Sequence, residues 1–201
     1  MKVYITLAFV MLNFIAKAQT TTITPGKIAP DIKLMNVDDK WVSFNDYPSA
    51  KGFIVVFTCN TCPYSKAYEQ RIIELNNKYT PLGFPVIAVN PNDPGASPGD
   101  SFAKMKKQAI SGKYTFPYLY DDGQVITTLY GAKNTPHVFV VKKGENGSTV
   151  EYTGAIDNDT QNNNPDKIRF VEDAVSAVLK NEKPATSVTK AIGCTVRLKK
   201  N

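Results

Sequence analysis

Cys59-Asn60-Thr61-Cys62 sets two thiols three residues apart, close enough for one sulfur to reach the other. A thiolate there can attack a disulfide, and its neighbour can then resolve the mixed disulfide within the chain. The pair therefore reads as a redox site that uses no cofactor and no metal. An inert stabilising disulfide is the weaker reading, since so short a loop removes little entropy from the unfolded chain. His137, the single histidine, reads first as a packing residue at the head of a strand; with Cys194, the third cysteine, it completes a soft-ligand set for copper or zinc only if both converge on the pair. Cys194 is otherwise either an idle thiol on a tail or, as an odd cysteine in an exported chain, a partner for Cys59 or Cys62 or for a second chain.

Such a pair needs a rigid junction to hold it. Residues 53–57, Phe-Ile-Val-Val-Phe, form the continuous apolar, β-branched run of a central strand buried on both faces. From Cys62 to Tyr79 the residues Tyr64, Tyr68, Ile72, Leu75 and Tyr79 recur every three or four positions, the pattern of an amphipathic helix that Pro81 and Gly83 end. The cysteines thus sit where strand meets helix, and Pro63 costs no hydrogen bond just inside the helix. This reading puts Cys59 at the junction, facing free N–H groups and the positive end of the macrodipole, and Cys62 in the first turn. Cys59 is then the more acidic, accessible and attacking thiol, and Cys62 the resolving one.

Strand-like and helix-like segments alternate to residue 179, as in an α/β layered fold. A hairpin across Asp38-Asp39 comes first, and a second buried strand covers residues 85–89. The Pro- and Gly-rich stretch 90–100 can only be a loop. Then follow a short helix stopped at Gly112, a strand at 118–120, a helix at 125–130 and paired strands at 138–141 and 149–153. The last helix takes Asn164 as cap and Pro165 as its first residue, with Ile168, Val171, Val175 and Val178 on one face. One domain spans residues 24–183, and residues 184–201 are a polar tail carrying Cys194.

The first residues read as an address. Lys2, the apolar run 3–15 and Ala16-Lys17-Ala18 match a cleavable signal peptide over residues 1–18, so a periplasmic or secreted protein is expected. The run is too short to span a bilayer, which excludes stable membrane insertion after cleavage. The formal charge of +6 includes Lys2 and Lys17, and the remaining lysines are scattered among acids as on a solvated surface. With three arginines, Arg71, Arg169 and Arg197, and no basic cluster interleaved with aromatics, nucleic-acid binding is excluded.

The strand, Cys-x-x-Cys and helix, followed by Thr135-Pro136 entering a later strand, resemble the thioredoxin-like superfamily. Further motifs are similar to its redoxin or peroxiredoxin-like branch, the alkyl hydroperoxide reductase and thiol-specific antioxidant (AhpC/TSA) family. They include Ala29-Pro30-Asp31, Cys62-Pro63-Tyr64, Asn90-Pro91-Asn92-Asp93, Phe116-Pro117-Tyr118, Tyr130-Gly131 and Ile192-Gly193-Cys194. The resemblance implies an α/β, thioredoxin-like three-layer α/β/α fold with a central mixed sheet and an N-terminal hairpin. It also implies a cis Pro136 facing the pair, thiol redox chemistry on protein or small-molecule disulfides, and a redox partner. The chain departs from peroxidatic relatives. Counting back seven and three residues from Cys62, Val55 and Cys59 stand where those have proline and threonine, and Arg71, beyond Cys62 on the opposite helix face, does not replace their peroxide-orienting arginine. A thiol-disulfide oxidoreductase is therefore the leading expectation, ahead of a thiol peroxidase or a copper-handling protein.

Overall fold

The computed structural model describes residues 21–199; the expected signal peptide lies outside them. At its centre the apolar run forms β3 (Gly52–Phe57), every residue of which is buried. It is parallel to β4 (Val86–Asn90), which is in turn parallel to β5 (Tyr118–Tyr120). On its other side β3 pairs antiparallel with β7 (His137–Lys142), and β7 with β8 (Thr149–Gly154). The hairpin β1 (Lys33–Asn36) and β2 (Trp41–Ser43) closes the far edge through β1 against β5, giving a mixed sheet in the order β2-β1-β5-β4-β3-β7-β8.

Alternate residues of β3 face opposite layers, as strand pleating requires. Ile54 and Val56 pack on Tyr68, Ile72 and Leu75 of α1 (Pro63–Tyr79), Met105 of α2 (Phe102–Ser111) and Val171 and Val175 of α4 (Phe170–Leu179). Phe53, Val55 and Phe57 meet Ile126 and Tyr130 of α3 (Val125–Tyr130) on the other side. Each fully buried side chain of this kind contributes about 1.5–3 kcal/mol, so the strand that ends at the cysteines is among the firmest parts of the chain. This is the three-layer α/β/α arrangement. Among the described residues no helix is long and apolar enough to cross a membrane.

Two elements differ from the sequence reading. The last helix starts at Phe170 and leaves Ile168 exposed, because residues 157–168 are drawn into a loop of their own. Asn158 and Ile168 exchange bonds across it, and Asn164 donates its N–H to the Asp159 carboxylate and caps only a local turn. The tail, in turn, is docked: β9 (Cys194–Thr195) pairs antiparallel with β6 (Asn134–Thr135).

Arg71 faces inward. It donates to Asp157 Oδ2 at 2.6 Å and to the carbonyls of Asp159 and Thr160, and its guanidinium lies 3.7 Å from the centroid of the Tyr68 ring. Both partners of the ion pair are buried. Arg71→Ala strands the Asp157 carboxylate and two carbonyls, and is expected to cost about 3 kcal/mol. For a domain of this size that lowers Tm by about 6–12 °C in a thermal melt. A fall under about 2 °C would show that Lys167, 3.8 Å from the same oxygen, suffices alone.

Candidate active site

Beyond β3 the chain stays extended through Thr58, whose N–H bonds to Val89, and reaches Cys59. α1 begins at Pro63 with Cys62 as its N-cap, at φ −72° and ψ 125°. Cys62, and not Cys59 as the sequence reading had it, therefore stands at the helix N-terminus. The signal for this lay in Pro63, since proline favours the first helical position and makes the residue before it the cap.

Both cysteines of the pair are buried, and both meet Thr135. Cys59 Sγ lies 3.2 Å from Thr135 Oγ1 and 3.8 Å from Ser65 Oγ, while the Cys62 thiol donates to the Thr135 carbonyl at 3.1 Å. The Thr135-Pro136 peptide is cis, as the resemblance implied, and Pro136 offers no N–H. Thr135 had no role in the sequence reading beyond preceding that proline.

The environments of the two thiols push them apart. Burial raises the Cys59 pKa above the ordinary thiol value and the Asp100 carboxylate adds to this; contacts from Thr135, the Cys62 N–H and Ser65 only partly oppose it. Burial acts on Cys62 as well, but the Cys194 thiol, the N–H groups of Ser65 and Cys194, and that of Tyr64 outweigh it and hold its pKa below the ordinary value. Of the two, Cys62 is thus the more acidic thiol, opposite to the order expected from sequence.

The two residues between the cysteines are fixed by the loop that follows β4. Asp100, fully buried, accepts the N–H of Asn60 at 2.7 Å, the hydroxyls of Thr61 at 2.7 Å and Ser97 at 2.6 Å, and the amides of Asn92 at 2.8 Å and Asn90 at 3.4 Å. Although burial disfavours its charge, these donors keep its pKa below the usual carboxylate value. Asn60 also holds Tyr118 Oη and the Gly99 carbonyl. From sequence, Asp100 was one acid in a loop.

His137 belongs elsewhere. Its ring lies 4.6 Å from that of Phe139 and its Nε2 bonds to Thr153, on the α3 side of the sheet; α1 packs on the opposite side. Burial, aided by Lys133, lowers its pKa to about 4, so it is neutral at pH 7. Among the described residues no three His, Cys, Asp or Glu side chains are grouped to hold a metal ion. A cavity of about 350 Å³ bordered by Arg71, Lys78, Lys167 and Glu172 lies apart from the cysteines.

Cys194 is half-buried and lies against Cys62, because the tail runs back over the pair as a strap. Ser187 and Thr189 bond to Thr153 at the edge of β8, Cys194 lies opposite Thr135, and Arg197 bonds to Asn92 and Asp93. Burial and the neighbouring Cys62 push the Cys194 pKa up to about 11.

Comparison with known proteins gives a consistent picture. The AhpC/TSA family model matches residues 25–149. An uncharacterized conserved protein from Geobacillus kaustophilus is similar over 88% of this chain and 93% of its own, with 32% identity and a TM-score of 0.79. A hypothetical protein from Sinorhizobium meliloti 1021 is similar over 92% and 100%, with 27% identity and a TM-score of 0.82. A putative thiol:disulfide interchange protein DsbE from Chlorobium tepidum shares the fold over 66% of this chain and 85% of its own, at 24% identity and a TM-score of 0.52. Among curated proteins there is no match.

Proposed function

This chain belongs to the AhpC/TSA family, and we propose that it is an exported thiol-disulfide oxidoreductase working on client disulfides through Cys59 and Cys62. One observation carries this reading: two thiols of opposite acidity are gathered on Thr135 at the head of α1, beside a proline without an N–H. The Cys62 thiolate attacks one sulfur of a client disulfide, a new S–S bond forms, and the other client sulfur leaves with the electron pair and takes a proton. Cys59 then loses its proton and attacks Cys62 Sγ, which frees the second client thiol and leaves Cys59–Cys62 oxidised. A reducing partner resets the pair. Pro136 keeps a competing backbone donor away from the client chain. The signal-like residues 1–18 support export to the periplasm or beyond.

A thiol peroxidase is the second reading, on the strength of the family alone. Arg71 does not serve to polarise a peroxide, since it is committed to Asp157. Insulin reduction with dithiothreitol as donor, run beside hydrogen peroxide turnover, separates the two. The expected result is reductase activity that disappears in the Cys59→Ser, Cys62→Ser double variant, with a peroxide rate constant below ~10⁶ M⁻¹s⁻¹. Peroxide turnover above that value without insulin reduction would reverse the assignment.

A further inference from the structure

We propose that Cys194 is a third redox-active thiol, which takes over the disulfide of the pair through Cys62 and presents it to the redox partner. The inference rests on the oxidoreductase reading above and extends it to the tail.

Both cysteines of the pair rest on Thr135, Cys59 on its hydroxyl and Cys62 on its carbonyl, and it is Cys62 that the Cys194 thiol contacts. The Cys62 thiol bonds to the Thr135 carbonyl, and Cys194 is the residue opposite Thr135 in the β6–β9 pair. Close approach there depends on Gly193, because a Cβ at that position would collide with the Thr135 carbonyl. The register is held on both sides. Asn134 donates its side-chain amide to the Gly193 carbonyl at 3.0 Å, and the Val196 N–H bonds to the Lys133 carbonyl at 3.0 Å. Val196 is buried, and Gln124 binds the Arg197 carbonyl and the Lys199 N–H further on. Folding has thus already closed the long loop between Cys62 and Cys194, so forming a bond between them carries little further entropic cost.

The three thiols differ in exposure. Cys59 and Cys62 are buried, whereas Cys194 is half-buried at the outer side of the site. In the oxidised pair, Cys194 gives up its proton and its sulfur attacks Cys62 Sγ. The Cys62–Cys194 bond forms as the Cys59–Cys62 bond breaks, and the electron pair goes to Cys59, which takes up a proton. One disulfide and one thiol become another disulfide and another thiol, so no external oxidant enters. A partner dithiol can then attack Cys194 at the surface, release Cys62 and return the protein to its reduced form.

The test is disulfide mapping by mass spectrometry of the full-length Cys59→Ser variant, oxidised with diamide and blocked with iodoacetamide. The expected product is a monomer with Cys62 joined to Cys194. Cys59→Ala replaces it if the serine variant lacks the circular dichroism of the wild type. The companion Cys62→Ser variant is expected to join Cys59 to Cys194 at least about tenfold more slowly, because Cys59 is held on the Thr135 hydroxyl and the Cys194 thiol contacts Cys62. Gly193→Val in the Cys59→Ser background is expected to slow closure by a similar factor, about tenfold, by lifting the strand. Folded Cys59→Ser monomer with Cys62 and Cys194 both alkylated, or Cys194 found only in intermolecular bonds, would overturn the proposal. Wild-type protein in the same experiment keeps the two readings distinct: absence of any Cys59–Cys62 bond there would instead remove the oxidoreductase reading on which this one rests.

Discussion

Cys62→Ser is expected to lower disulfide-reductase turnover by about 10³-fold or more, since it removes the atom to which the client sulfur bonds. Cys59→Ser is expected to lose less, because the attacking thiolate survives and Cys194 stands ready to resolve the mixed disulfide. With Cys59→Ser and Cys194→Ser combined, resolution stops and the client remains covalently bound at Cys62, which non-reducing electrophoresis detects. The pH profile carries the same assignment. A pKa below the ordinary thiol value means that the Cys62 thiolate is present at lower pH than a free cysteine's, so alkylation at Cys62 rises through a midpoint below that of a free cysteine. Cys59 and Cys194, whose pKa values are raised, follow only at higher pH. Cys194→Ala takes away a contact that favours the thiolate and is expected to move the Cys62 midpoint upward. A Cys59→Ser protein that is inactive beside a Cys62→Ser protein that turns over would restore the order of attack first read from the sequence.

Asp100→Ala is expected to cost about 3–5 kcal/mol, because one buried carboxylate satisfies five donors and its loss leaves several of them without partners. In a domain of this size that is a fall in Tm of about 6–20 °C. Reductase activity is expected to fall as well, since the Asn60 N–H and Thr61 hydroxyl are the ties that fix the turn between the cysteines. Asp100 also has a signature in acid. Its folded pKa is depressed, so its contribution to stability is fully present above the unfolded value of about 3.9 and is lost as pH falls through the lower folded value. Asp100→Asn removes this titration, and its stability deficit relative to wild type is expected to shrink between pH 7 and pH 3. Thermal melts at the two pH values measure it. An equal deficit at both would mean that Asp100 acts by shape alone.

Much of this molecule is legible in local sequence. The apolar run of β3 marks a strand buried on both faces, and the spacing of Tyr68, Ile72, Leu75 and Tyr79 marks the buried face of α1. Asp38-Asp39 marks the hairpin, where Asp39 takes φ +66°. These signals survive because pleat and helix periodicity act over a few residues and the core confirms them. The thiol pair and Pro136 were legible for the same reason, as short motifs at the ends of such elements.

What tertiary structure decided lies where partners are distant in the chain. The start of α4 moved because Arg71 and Asp157 organise the loop before it, which overrides the cap that Asn164-Pro165 signals locally. Asp100 reaches the residues between the cysteines from a loop that carries no periodicity of its own. The tail reads as polar and shapeless because a two-residue strand has no pattern to read, and its order comes from backbone bonds to β6, β8 and the loop after β4. The order of acidity of Cys59 and Cys62 belongs to the same class. Sequence determines that two thiols meet a helix, while their order of acidity depends on how deeply each is buried and on Thr135, Asp100 and the Cys194 thiol, groups that only folding brings to them.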